Sequence, residues 1–155
     1  MFLYHASIYR TDDLKPGLKR SGVLQRFEDN ESNEYLYACR DKDESVLQGF
    51  FAAVTEVNNR VKGTVNTKFT SAGRFIHIQT SNRDFDLVDV LEMNIYLYTF
   101  RKQTTDEFSL VRSGSNLDYP EYKTKNTIAG DRLSVEVISL KDWSKQKDIR
   151  ISYTR

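Results

Sequence analysis

Residues 40 to 59 read "RDKDESVLQGFFAAVTEVNN", and no other stretch of this 155-residue chain carries so clear a helical period. Val46, Leu47, Phe50, Phe51, Val54 and Val57 recur at intervals of three and four, which places them on one side of a helix facing a core. Asp41 with Glu44 three residues later is a capping-box-like start. The spacing therefore predicts one main helix over about 42–58. Everything around it must supply the surface on which that apolar stripe is buried.

The surroundings are β-forming. "MFLYHASIY" predicts a first strand around Phe2 to Ala6, and "YLYAC" (35–39) a second that runs directly into the helix. Between them "KPG" places Pro16 and Gly17 at the centre of a type II turn. A polar loop, "LKRSGVLQRFEDNESNE", follows. Beyond Gly63 come strand-like runs, "RFIHIQTS", "NIYLYTF", "NTIAG", "LSVEVISL" and "DIRISYT", with short helical turns expected in "TTDEFSLV" and "LKDWSK". Strand, loop, strand, one helix and then a run of strands describes an α+β fold in a single domain over 1–155. Neither a glycine-rich dinucleotide fingerprint nor a P-loop is present.

Composition narrows the function classes. Lys and Arg number 23 against 22 Asp and Glu, so no overall field draws the chain to nucleic acid or to a membrane. A single cysteine, Cys39, excludes an internal disulfide framework and a cysteine-based zinc cluster, and suits a reducing compartment. His5, Ser7, Arg10 and Asp12 break up the start of the chain before a signal peptide could form, so a cytoplasmic location with no membrane association is expected.

Only two histidines, His5 and His77, stand among these residues. A histidine inside a short apolar strand is ordinarily a core residue. In "FLYHAS", however, it is followed by "DLKPG" (13–17) and by "YLYACRDKDESVLQGFFAAV" (35–54). That order and spacing resembles the small bacterial ADP-ribosyltransferases of the rifampin-modifying type. The stretch "EYKTKNTIAGDRLSVEVISLKDW" (121–143) is similar to that family's C-terminal segment, whereas residues 58–118 match poorly. The resemblance implies a split β core of two small sheets with one main helix, gripping NAD as substrate without a Rossmann sheet. It implies that His5 bonds the nicotinamide-side ribose, that Tyr37 or its strand neighbour Tyr35 stacks on the nicotinamide, and that Ser7 bonds the carboxamide. Arg20 or Lys19 would contact the pyrophosphate. Glu121 would be the catalytic acid, stabilising the oxocarbenium-like ribose or orienting the nucleophile, with Asp118, Glu107 and Asp106 as competitors. Ala6 departs from the glycine many relatives carry there.

The acceptor implied is a small molecule, a protein or a nucleic acid. Two further readings stand beside this one. The same fold in a bacterial or phage accessory or defence-related protein would serve as an inactive nucleotide- or protein-binding module. Alternatively His5 and His77 would act as acid and base in a cyclic-nucleotide phosphodiesterase, although on the strand "RFIHIQT" His77 also reads as structural. No residue set for a metal is expected.

Overall fold

The computed structural model describes residues 1–16, 35–61, 63–111 and 121–154. Lys19, Arg20, Asp118 and the second residue of the expected Pro16–Gly17 turn lie outside the described residues.

Helix α1 spans Lys42–Asn59, and its start is built as its sequence requires: Asp41 is extended and its Oδ1 accepts the Glu44 N–H at 2.7 Å. Such a cap contributes about 1 kcal/mol. The stripe is buried, with Val46, Phe50, Phe51, Val54 and Val57 at 7% exposure or less. Phe51 stacks on Phe69 at 4.3 Å and Phe50 leans on Trp143 at 5.1 Å. Burying each such side chain is worth about 1.5–3 kcal/mol, so α1 is the central packing element.

Two sheets enclose it. Strands β1 (Phe2–Ser7), β2 (Leu36–Cys39), β5 (Asn94–Arg101), β6 (Ser109–Leu110), β7 (Glu121–Thr124) and β8 (Ser134–Ser139) form a six-stranded sheet in the order β6-β7-β2-β1-β5-β8. Strands β3 (Thr67–Ala72), β4 (Phe75–Thr80) and β9 (Asp148–Tyr153) form a second sheet, with β9 parallel to β4. Two short helices, α2 (Leu87–Leu91) and α3 (Leu140–Ser144), close the core between the sheets. The fold is α+β with two small sheets, as expected.

The six-stranded sheet is not uniformly joined. β1 pairs with β5 along its whole length, from Phe2 opposite Arg101 to Ser7 opposite Tyr96. On its other side β1 meets β2 in a single register pair, Tyr4 opposite Cys39. Thus β6-β7-β2 and β1-β5-β8 are two half-sheets parted along one seam.

Several strands follow the sequence pattern closely, among them 75–80, 94–101, 134–139 and 148–153, and the expected turns appear as a 3-10 turn at Thr104–Asp106 and as α3. "NTIAG" does not form a strand. Ile128 exchanges two backbone bonds with Leu14, an isolated bridge, and the chain then turns at Gly130, where a Cβ would lie 2.2 Å from the Asp12 carbonyl oxygen. β3, by contrast, was not readable as a strand: only Phe69 of "TKFTSA" is a strong apolar β-former. It is recruited by the Gly73–Arg74 hairpin, with Gly73 at φ 60.

Candidate functional site

The seam between the half-sheets is where the sequence-predicted residues gather. Along β1, Leu3 packs into the cluster of Leu14, Leu36, Ala38, Tyr98, Phe100 and Ile128, while Tyr4 and Ala6 pack against the α1 core. His5 therefore leaves β1 on the side away from α1, and its ring lies 6.4 Å from that of Tyr98. Its Nδ1 lies 2.6 Å from the Tyr37 carbonyl oxygen. A carbonyl only accepts, so the imidazole donates, and a side chain takes the place of a ladder bond where β1 and β2 part.

Tyr37 contributes that carbonyl rather than its ring. β2 and β7 pair with Tyr37 opposite Lys123 and Cys39 opposite Glu121, so these four side chains share the α1 side of the half-sheet. The rings of His5 and Tyr37 thus emerge on opposite faces, joined through the backbone. Tyr37 is 8% exposed and Glu121 9%. Tyr35 is half-buried, 6.3 Å from the Tyr37 ring, and carries two ammonium groups over its face: Lys123 Nζ at 4.3 Å from the ring centroid and Lys125 Nζ at 5.3 Å. Tyr35 is thereby set in a cationic environment.

Glu121 faces the first turn of α1. Burial, then the charges of Asp41 and Glu121, hold the Glu44 carboxyl above its ordinary value, against a lowering hydrogen bond from Gln48. Gln48 also reaches Cys39 Sγ at 3.8 Å. Two carboxyl groups, an amide and a buried thiol therefore line one short stretch where β2 feeds α1.

Ser7 is 5% exposed and its Oγ accepts the Tyr9 N–H at 3.0 Å, which closes the end of β1. The Tyr98 hydroxyl takes the Thr11 N–H at 2.7 Å and holds the segment that follows. Ala6 does not crowd the His5 face: its Cβ lies 3.0 Å from where a Cβ on Gly49 would stand, on the helix side of the sheet.

The competing acids separate cleanly. Asp106 is 4% exposed and holds Arg132 in a two-pronged ion pair, with Oδ1 to Nη1 at 2.6 Å and Oδ2 to Nη2 at 2.8 Å, and the Gln103 N–H at 2.8 Å completes the set. Arg132 above all holds the Asp106 carboxyl below its ordinary value. The Asp106 carbonyl takes the Thr124 hydroxyl of β7, while Arg132 Nη2 reaches the Arg101 carbonyl of β5 at 3.0 Å. The pair is a strap between the half-sheets, already committed to structure. Glu107 is exposed in a left-handed turn at φ 57. His77 lies in the other sheet, bonded through Nε2 to Ser152 Oγ at 2.8 Å.

In the sequence "YKTKNT", which holds Lys123 and Lys125, reads as a basic run able to touch phosphates of NAD or RNA but more simply as a solvated loop, and the second role of Glu44 goes unseen. The signal for the lysines was the alternation in "EYKTK", which sends residues 121, 123 and 125 to one side of a strand. Glu44 was legible only as a cap. Among the described residues, no helix is long and apolar enough to cross a membrane, and no three His, Cys, Asp or Glu side chains gather as a metal site would require. Compared with protein-family models, curated proteins and solved structures, the chain matches none. On the α1 side of β2 and β7 the geometry presents an aromatic ring under two ammonium groups and a carboxylate pair, with the His5 imidazole on the other face. The two ammonium groups suit an anionic ligand.

Proposed function

We propose that this chain is an ADP-ribosyltransferase-like domain that takes NAD at the seam between its half-sheets and transfers ADP-ribose to a small molecule, protein or nucleic acid. The observation that carries the reading is the His5 imidazole bridging the parted strands beside Tyr37, with Glu121 one strand away. On this reading Lys123 and Lys125 contact the pyrophosphate, and the nicotinamide ring stacks on Tyr37 or its strand neighbour Tyr35. The C1′–N bond breaks and its electron pair stays with nicotinamide, which leaves neutral. The ribosyl cation, stabilised by Glu121, is trapped by an acceptor lone pair whose proton passes to a base. The cytoplasm, where NAD is abundant, is the compartment in which we place the reaction.

A second reading keeps the seam as a binding site without turnover, and the burial of Tyr37 and Glu121 on the face opposite the His5 ring favours it. Incubation with NAD and chromatography of free nicotinamide separates the two. Turnover that Glu121→Gln lowers by about 100-fold supports the transferase. Saturable NAD binding without nicotinamide release supports the binding module. Titration calorimetry with no NAD signal overturns both.

A further inference from the structure

The sheet β3-β4-β9 has a face that the core leaves open. Alternation turns Phe69, Ile76, Ile78, Ile149 and Ile151 toward α1, and brings Thr70, Phe75, His77, Asp148, Arg150 and Ser152 out on the other side. A groove of about 370 Å³ lies there, bounded by Thr70, Phe75, His77, Asp148 and Arg150. That volume is at the lower end of small-ligand pockets, the size class of one compact organic ligand.

Its chemistry is graded along the strands. At one end Phe75 is 52% exposed, with the Arg74 guanidinium 5.1 Å from its ring centroid. An exposed aromatic ring flanked by a guanidinium is a stacking platform for a flat heterocycle. Beside Phe75, in register across the parallel ladder, stands the carboxylate of Asp148. One step on, His77 stands beside Arg150, which is exposed and makes no ion pair among the described residues. Thr70 is opposite His77 on the far strand, and the bond to Ser152 fixes the imidazole. Two residues along a parallel strand separate the Phe75–Asp148 level from the His77–Arg150 level by about 6.6 Å.

We propose that this groove is a binding site for a nucleoside monophosphate, with the base on Phe75, a ribose hydroxyl donating to Asp148, and the phosphate held by Arg150 and His77. The order of groups matches the order of the ligand: flat ring, hydroxyls, dianion. Arg150 is a forked donor suited to phosphate, and the lone carboxylate falls where the ligand offers hydroxyl donors rather than charge. The site is independent of the seam, since none of its residues belongs to the six-stranded sheet.

The test is calorimetric titration of the full chain with AMP, adenosine and inorganic phosphate. AMP should saturate with Kd in about the 0.1–1 mM range, and adenosine and phosphate alone should each bind about tenfold more weakly. Arg150→Gln should weaken AMP about tenfold and leave adenosine unchanged. Phe75→Ala should weaken both. Each altered side chain is exposed, and circular dichroism checks that the fold persists. Absence of AMP saturation, wild-type affinity in both variants, or loss of AMP binding in His5→Ala with Arg150→Gln unaffected would each overturn the proposal. So would binding of a single-stranded oligonucleotide without any response to AMP.

Discussion

The two sides of β1 are opposites. Toward β5 every residue from Phe2 to Ser7 has a partner in register, and β5 buries Ile95 and Leu97 on the α1 side and Tyr98 and Phe100 on the other. Toward β2 there is one register pair, and a histidine ring reaches across to a carbonyl. Strand pairing is the cheapest way to satisfy a backbone, so a sheet that stops pairing in its middle must satisfy those groups by other means and keep its halves together from elsewhere. Here the other means are His5 at the seam and the Asp106–Arg132 strap to one side.

If the strap holds the half-sheets together, cutting it should be the costliest single change. Asp106→Asn leaves Arg132 without its anion, and with Arg132 one-quarter exposed the loss should be about 2–4 kcal/mol in a urea titration. The same group sets an acid limit. Its carboxyl is depressed in the folded chain, so its contribution is complete above the ordinary value near 3.8 and is lost as pH falls below it through the folded value. The wild-type minus Asp106→Asn stability difference should therefore shrink on acidification below about pH 4. A difference that stays constant from pH 7 to pH 2 would show that the strap acts by shape rather than charge.

His5→Ala should cost less, about 1–2 kcal/mol, because it removes a partly buried hydrogen bond and leaves the β1–β5 ladder whole. Hydrogen exchange sharpens the point: amides of β2 should lose protection in this variant while those of β5 keep theirs. Equal loss in both strands would mean that the two sides of β1 are one cooperative unit. The smallest effect is expected at Glu44. Its carboxyl is raised in the folded chain, so its charging opposes folding as pH climbs above the ordinary value near 4.5. Glu44→Gln should raise Tm by about 1–3 °C at pH 7 and not at all below pH 4.

Much of this architecture is written locally. The cap at Asp41, the period of α1 and the aromatic strands around 2–7, 36–39 and 94–101 declare themselves because each is buried on a regular face. β3 did not, since its six residues gain their conformation from a neighbour and a two-residue turn rather than from their own side chains. At the seam, residue identity was legible and direction was not. His5 and Tyr37 could be named as neighbours, yet which face each ring takes depends on the register of β1 against β2. A one-residue slip would have reversed it. Asp106 showed the converse: nothing in "TTDEF" distinguishes a catalytic acid from a structural one, because its partner Arg132 is 26 residues away and arrives only through the fold.

Ala6 and Gly49 carry a consequence for any chain descended from a common ancestor with this one. A Cβ at position 49 would stand 2.8 Å from Ile95 Cδ1 and 3.0 Å from the Ala6 methyl, so the helix rests on the sheet across a space that one methyl already fills. Positions 6 and 49 share a single volume. Related chains with glycine at the first should be free to carry alanine at the second, with the isoleucine tip at 95 turning aside. Chains with a side chain at both should have drawn back the helix, and with it the start of α1 that Glu44 occupies beneath the seam.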